Sequence, residues 1–465
     1  MSLVLKGARV IDALNHIDDV LDIAIEDGKI SSIGEDLTIS KDSIDLTGKT
    51  IIPGVIDMHV HVTELLGGRA GYRMAAKTGA TTIIDFAGPV KDIVENAATL
   101  GCGLNVGCLN VINPDECGVD PGEARLESLL DESLTLGALG LKILGGHFPL
   151  TPEASHNAIK VTNKHKAVVA FHCGSTKERS DLMGMKESVE MAKGNNLIIP
   201  HINAYCRGKY FHYAEELRQA FEMLRENKNI IADSHLAVIN GTQGLCHNGL
   251  PHDAITVNCL KMFGFEPTEN GLIKAILDGV VKVIYPGEDE NSLLEGKAAH
   301  DYWRSKDTNV SVSFPANNPI VAVSCALERR EAGGDFLIPM TATDGGGFPR
   351  NNLIGRMLAL HHLGYMSLHD IVRKVSLNPA KVFGLSGKGH LSVGADADLS
   401  ILNETLTTAV ESYANGVQIM KGGVITGSGA FLITTKAGEE SAKRHGLNPL
   451  ITDIEKSAFY SGFHT

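Results

Sequence analysis

The sequence predicts an α/β fold, a (β/α)8 TIM barrel joined to a small, discontinuous β-sandwich domain. Three observations predict it. Eight short apolar runs recur after Lys49, apolar on both faces as buried parallel strands are. Segments of helical period separate them. The two ends of the chain read instead as short strands and tight turns. The chain has 465 residues, 43% hydrophobic and 21% charged, an ordinary globular composition. That length accommodates a barrel of roughly 250 residues with room for additions.

The elements follow in order. Ser2–Ala13 and Val20–Ile25 alternate in polarity, and Glu26-Asp27-Gly28-Lys29 carries the Asp-Gly signal of a hairpin before the return strand Lys29–Ile33. The apolar runs are Val55–Val62, Thr81–Ala87, Asn105–Val111, Gly140–Leu144, Ala167–His172, Asn196–Ile202, Ile230–Ala237 and Asp335–Thr343. The first seven begin about 25–35 residues apart, the spacing of a βα unit. Glu123–Leu136, with leucines at 126, 129, 130, 134 and 136, and the amphipathic Ala214–Lys228 read as helices between them. The stretch from Ala237 to Asp335 exceeds one βα unit. It contains the polar Gly241–Pro251 loop and the turn Tyr285–Asn291, which predicts an insertion around 240–330 acting as a lid. Gly389–Leu402 and Gln418–Val424 return to short strands. The small β domain therefore comprises 1–52 and 386–430, and the barrel 53–385. The tail 431–465 has no period and receives no assigned structure.

Composition narrows the function. With 42 Lys+Arg against 55 Asp+Glu, the net charge is −13, which argues against nucleic acid or an anionic membrane as partner. No apolar stretch approaches the ~20 residues that span a bilayer, and the N-terminus lacks the basic start and apolar run of a secretory signal. The eight cysteines are scattered without a C-x-x-C pair, as reduced thiols in a cytoplasmic protein would be. Fifty glycines without a G-x-y period suit many tight strand–helix turns.

The chemistry centres on Asp57-Met58-His59-Val60-His61. Residues i and i+2 of a strand point the same way, so His59 and His61 project together at the C-terminal end of the first run, where barrel sites lie. Two imidazoles on one face can share a metal ion. Alone, an H-x-H is more often structural. Here His172, His201 and Asp344 close three further runs, the fifth, sixth and eighth, at the same rim. Lys142 stands between Leu141 and Ile143, where burial would make its amine neutral and nucleophilic. Such an amine can add carbon dioxide, and the resulting carbamate can bridge two divalent metals. Imidazole and carboxylate ligands suit zinc.

The pattern resembles the amidohydrolase superfamily, specifically its two-metal branch with a carboxylated lysine. The resemblance extends from the start to about residue 430. It rests on Lys6–Asp12, Glu26–Ile30, Pro53–His61, Gly79–Asp85, Asn378–Leu385 and Gly389–Leu399, of which Pro-Gly-Val-Ile-Asp-Met-His-Val-His and the closing Gly-Ala-Asp-Ala-Asp-Leu are the most specific. It implies that His59 and His61 bind the more buried metal, that carboxylated Lys142 bridges to a second, and that His172 and His201 bind that second ion. Asp344 would contact the first metal and the attacking water. A metal-bridging hydroxide would cleave a C–N bond of an amide or cyclic amide, and Asp344 would carry the proton to the leaving nitrogen. The cofactors implied are two divalent metal ions, zinc foremost, with Lys142 carboxylated by CO2. No organic cofactor site is expected, and the family is commonly homo-oligomeric.

The substrate is a small-molecule amide, hydantoin- or dihydropyrimidine-like or an N-acyl amino acid. Dihydroorotases carry an arginine after the H-x-H, whereas Val62-Thr63-Glu64 follows here. Hydantoinases usually carry a tyrosine after the bridging lysine, whereas Gly145-Gly146-His147-Phe148 follows here, with His147 as a replacement. The long stretch between His201 and Asp344 is similar to N-acyl-D-amino-acid deacylases, although those usually show H-x-C. Arg207, just after the sixth run, is a candidate for a substrate carboxylate. Arg69 and Arg350 are weaker candidates of the same kind, and His235 at the end of the seventh run is a further substrate contact. Gly345-Gly346-Gly347 leaves the backbone beside Asp344 open to a ligand or forms a flexible turn. Two other functions compete. A mononuclear aminohydrolase of a heterocycle needs no bridging lysine but usually has a glutamate near the fifth- or sixth-run histidine. Only Glu178 lies in that neighbourhood. A non-catalytic scaffold like the dihydropyrimidinase-related proteins would have lost the ligands that are all present here.

Overall fold

The computed structural model describes residues 2–38, 42–65 and 68–463. The remaining residues of the expected segments, 1, 39–41, 66–67 and 464–465, lie outside the described residues. The eight apolar runs form parallel strands. They are Val55–His61, Ala80–Asp85, Asn105–Cys108 with Asn110–Val111, Gly140–Leu144, Val168–His172, Leu197–Ile199, Ile230–His235, and Met340–Ala342 with Gly345–Gly346. Neighbours in sequence pair in parallel, first with second, second with third, and fourth with fifth through to seventh with eighth. Two short breaks pass the pairing on. After Cys108 the third run continues as Asn110–Val111, which pairs with the fourth. After Thr343 and Asp344 the eighth continues as Gly345–Gly346, which pairs with Val60–His61. The pairing thus returns to the run where it began.

Several boundaries differ from the pattern by one or two residues, and two differ by more for local reasons. The eighth run starts at Met340 rather than Asp335, because Pro339 before it has no N–H to give a ladder. The sixth ends at Ile199, because Pro200 follows and His201 is left-handed, with φ 39°. The helix Glu123–Leu136 runs between Gly122 and Gly137 as its sequence suggests. The next amphipathic segment becomes Tyr213–Glu226, which buries Leu217, Ala220, Phe221 and Leu224 along one face.

The chain ends meet in one nine-stranded sheet, joined where Leu399–Leu402 lies antiparallel to Thr50–Pro53. Asp27 and Gly28 both have positive φ, the geometry of a two-residue hairpin turn. Leu5, Val10 and Ile23 pack with Leu391, Leu399, Ile401 and Tyr413, so the two termini share a core. The Asp-Ala-Asp string fixes this unit to the parallel sheet. The Asp398 carboxylate accepts from Lys388 Nζ at 2.8 Å, Asn105 Nδ2 at 2.7 Å and the Asn415 backbone N–H at 2.7 Å. Asn105 belongs to the third run, so one buried acid joins both units.

The insertion builds a compact body of its own. Thr242–Gln243, Ser311–Ser313, Lys282–Tyr285 and Ser292–Leu294 form a small sheet. Helices Ala254–Met262, Glu269–Leu277 and Gly296–Ser305 pack with it around Trp303, Leu260, Leu272 and Phe314. The following helix, Pro319–Leu327, packs instead on the main core through Val321 and Cys325. The tail, left unassigned from the sequence, forms short strands and helices between Phe431 and Ser461. Phe431–Thr434 pairs in parallel with Asn105–Cys108 and with Asn448–Ile451. Four-residue strands are too short for a period to show. No helix among the described residues is long and apolar enough to cross a membrane.

Asp398→Ala is expected to destabilise the protein by about 3 kcal/mol, because it leaves the buried Lys388 ammonium with Asp396 alone as counter-charge and removes the acceptor of the Asn415 backbone N–H and the nearest acceptor of the Asn105 amide. Urea unfolding checks this, and a change under about 1 kcal/mol would refute the clamp.

Candidate metal centre

The strand register brings the predicted residues to one end of the parallel sheet. Lys142 pairs with Ala170, while Leu144, two residues on, pairs with His172. The lysine therefore sits one layer beneath the rim. His59 likewise lies one layer below His61, and all seven residues of that strand are buried. His59, His61, Lys142, His172, His201 and Asp344 all line a single cavity of about 520 Å³.

Their polar atoms face one another. His59 Nε2 and His61 Nε2 lie 3.5 and 3.0 Å from Asp344 Oδ1. His201 Nε2 lies 3.1 Å from His172 Nδ1. One ligand atom from each of His59, His201 and Asp344 fits within 4.8 Å of the others, the geometry of a cation site. Lys142 is 1% exposed, and its Nζ has no hydrogen-bond partner among the described residues. It sits 5.0 Å from the centroid of Phe86, the ring that stacks on His59. His61 Nδ1 and His201 Nδ1 are also buried without partners. Buried polar atoms are normally paired, so an orphaned amine and two orphaned imidazole nitrogens in one cavity mark a set of donors for a ligand.

Burial sets the protonation states. It holds His59, His172 and His201 well below the usual histidine value, so these rings are neutral, the form that binds metal. Burial likewise pushes the Lys142 ammonium down, against the pull of Asp233 and Asp344. Burial would raise Asp344, but the Arg350 guanidinium and the imidazoles outweigh it and hold the carboxyl well below its ordinary range. Asp344 and His201 both have positive φ, at 52° and 39°. Non-glycine residues in that region are held there by their surroundings, here by hydrogen bonds that aim each side chain inward.

Three residues support the centre: Asp233 and Asp57, whose supporting roles the sequence did not suggest, and Arg350, which the sequence offered only as a contact for a substrate carboxylate. Asp233 accepts the His201 backbone N–H at 2.7 Å on one oxygen and lies 3.2 Å from His59 Nδ1 with the other. One carboxylate thus orients the His59 ring and pins the His201 backbone, and burial pushes its pKa up. It stands two residues before His235 in Asp233-Ser234-His235, at the end of the seventh run. Asp57 holds the Asp344 loop by accepting from Thr343 N and Oγ1 at 3.0 and 2.5 Å. Arg350 pairs with Asp344 Oδ2 at 2.6 Å and donates from Nε to the same residue's carbonyl at 2.6 Å.

The other candidates are placed as follows. His235 lines the cavity, with Nε2 3.4 Å from Asn203 Nδ2 and 3.9 Å from Asp344 Oδ2. His147 lines it too, with Nδ1 3.0 Å from Asp253 Oδ2 of the insertion. Arg207 lines it and donates to Asn317 Oδ1. Arg69 pairs instead with Glu64 at 3.3 Å outside the lining. Gly345 and Gly346, the first two residues after Asp344, are closely packed. A Cβ on Gly346 would fall 2.1 Å from the His61 carbonyl oxygen, so glycine is required for two backbones to touch. Gly146 plays the same part over His172, whose Nε2 would lie 2.3 Å from an added Cβ.

A sequence profile described as the amidohydrolase family matches residues 213–427. The dihydroorotase of Syntrophus aciditrophicus (strain SB) is 22% identical over 88% of this chain and 92% of its own. A solved D-aminoacylase, studied for one-metal activation and second-metal attenuation at its binuclear centre, superposes with a TM-score of 0.64 at 18% identity, covering 92% of this chain and 98% of that one. The dihydropyrimidinase of Brevibacillus agri NCHU1002 gives 0.62 at 16% identity, over 98% and 99%.

Asp233→Asn should leave the fold intact and lower metal affinity roughly tenfold to a hundredfold, since it weakens the partner that orients His59. Competition with a chelator reads this out, and unchanged affinity would remove Asp233 from the supporting role.

Proposed function

We propose that the chain is a metal-dependent amidohydrolase acting on C–N bonds, a member of the amidohydrolase superfamily, and that it hydrolyses a small-molecule amide or cyclic amide at the cavity described above; the family profile and the dihydroorotase and allantoinase relatives support this reading. The observation that carries the reading is the orphaned amine of Lys142 among four imidazoles and an ionised aspartate. We read the circuit of parallel runs as a (β/α)8 TIM barrel over 53–385, and the shared core of the termini as a β-sandwich of 1–52 and 386–430.

The donor set fits two divalent cations. His59, His61 and Asp344 would hold one, and His172 and His201 the other. Lys142 would stand between them as a carbamate, formed when its neutral amine adds to the carbon of CO2 and releases a proton. Neutral imidazoles with carboxylate oxygens suit zinc. Bound there, the cations would supply a water made acidic enough to ionise near neutral pH and would polarise the amide carbonyl.

The chain's own groups do the rest. Asp344 is held ionised by Arg350, so it can accept a proton from the attacking water. An amine leaves poorly as an anion, so the same carboxyl returns that proton to the departing nitrogen. Asp233 and Ser180 orient His59 and His172 from behind, Ser180 Oγ lying 2.8 Å from His172 Nε2. His147 occupies the place after Lys142 where hydantoinases usually carry a tyrosine. Asp253 fixes its Nδ1 and turns the ring toward the cavity as a partner for the carbonyl oxygen. His235 beside Asp344 is a substrate contact.

The test is hydrolysis by zinc- or manganese-loaded protein of hydantoins, dihydropyrimidines, N-acyl and N-carbamoyl amino acids of both hands, and dipeptides. Turnover of at least one class is expected, with close to two metals per chain and loss of activity on chelation. One metal per chain with ammonia released from a heterocycle would favour the mononuclear aminohydrolase. Lys142→Ala should lose the metal pair and activity, with partial rescue by short carboxylates that imitate the carbamate. Full activity in that variant would falsify the bridging role.

A further inference from the structure

Each acid that lines the cavity already faces a cation. Asp344 meets Arg350 at 2.6 Å, Asp253 meets His147 at 3.0 Å, and Asp181 pairs with Lys209. Besides Lys142, three basic side chains on the same walls are unmatched. Among the described residues, Arg179, Arg207 and Lys261 have no carboxylate within ion-pair distance. The chain as a whole carries −13, so this excess of positive charge is local to the cavity.

Solvent accounts for Arg179 and Lys261, which are exposed at the rim. It does not account for Arg207, which is half-buried on the loop after the sixth run, six residues past His201. Its Nε and Nη2 donate to Asn317 Oδ1 at 3.3 and 2.8 Å. Asn317 is itself fixed, its amide donating to the carbonyls of Ala237 and Ile239 at 3.2 and 3.1 Å. One edge of the guanidinium is thus held by a neutral oxygen that leaves its charge unbalanced. Nη1, on the other side, makes no hydrogen bond among the described residues. Arg350, in the same cavity, shows the alternative, a guanidinium spent on a carboxylate of the protein. Arg207 lines the same cavity as Asp344, Lys142 and the four histidines, which sets it on a wall of the reacting centre.

We propose that the substrate is an amide that also bears a carboxylate, and that Arg207, held by Asn317, receives that carboxylate next to the metal centre. The class includes N-acyl and N-carbamoyl amino acids and ring amides with an exocyclic carboxylate. It leaves out uncharged hydantoins and dihydropyrimidines. A planar guanidinium with a free edge gives a two-pronged contact, which fixes orientation as well as binding. Arg207 is then the residue that sets specificity, and Asn317 positions it. The proposal rests on the amide-hydrolase reading for its reaction, but on protein atoms alone for recognition.

Calorimetric titration of the full chain with N-acetyl amino acids of both hands, and with the matching carboxamides, tests it. Both metal-loaded and chelator-treated protein are used, because metals can themselves bind carboxylates. In chelated protein the acid of at least one pair should bind about tenfold or more tighter than its amide, the scale of a charge-assisted hydrogen bond. Arg207→Met should erase that preference. Arg207→Lys, which keeps the charge and loses the fork, should keep only part of it, and Asn317→Ala should weaken it without altering the binding of the carboxamide. No measurable preference for any acid, or a preference that survives in folded Arg207→Met or in full in Arg207→Lys, overturns the proposal. Hydrolysis is scored separately. Discrimination without turnover of any amide would defeat the reaction proposed above and leave this subsite standing. Turnover of uncharged amides with no preference for acids would do the reverse.

Discussion

The register of the parallel strands is the constraint on which the centre depends. Lys142 opposite Ala170 and Leu144 opposite His172 put an amine one layer beneath an imidazole. Gly346 opposite His61 brings Asp344 against the two histidines of the first run. A slip of one residue in either pair would turn these side chains to the other face of the sheet, into apolar packing. Register is well determined here because both faces are buried, so any slip would bury polar groups without partners and cost several kcal/mol.

A second set of buried acids stands behind that register. Asp233 orients the His59 ring and pins the His201 backbone, and Asp57 holds Thr343 beside Asp344. Asp85 accepts three backbone N–H groups, from Val62, Ala87 and Gly88, and so fixes the loops after the first two runs. Burial raises the pKa of each of these carboxyls. They persist because the hydrogen bonds they accept offset part of that cost. The left-handed conformations of His201 and Asp344 belong to the same bargain, local strain held in place by surrounding contacts.

The insertion gives the cavity its walls and ties them to the centre. His147 reaches Asp253, Arg179 reaches Asn258, and Arg207 reaches Asn317 at the insertion's exit. On the opposite side Asn291 donates to the Gly347 carbonyl at 2.8 Å, beside the strand that follows Asp344. Polar contacts from four separate segments therefore set the position of a body that has its own apolar core around Trp303. Such a body can vary in sequence without disturbing the parallel sheet, which suits a region that shapes the space around a substrate.

Much of this was legible in the sequence. Doubly buried strands leave continuous apolar runs, and a polar residue that closes such a run stands out, as His172, His201 and Asp344 do. A lysine between Leu141 and Ile143 is conspicuous for the same reason. The tail was not legible, because Phe431–Thr434 is too short to show a period and is a strand only through its partners. The insertion could be seen as extra length but not as a body with a core, since its small sheet pairs Thr242–Gln243 with Ser311–Ser313, far along the chain. Asp233, Arg350 and Asn317 were invisible as supports for a common reason. A hydrogen bond between residues distant in sequence leaves no local pattern. The sequence by itself determined which side chains are displayed at the strand ends, because strand period and burial act locally. Only the tertiary structure decided which of them meet, and which cation is left without a counter-charge, because distance and desolvation belong to the folded chain.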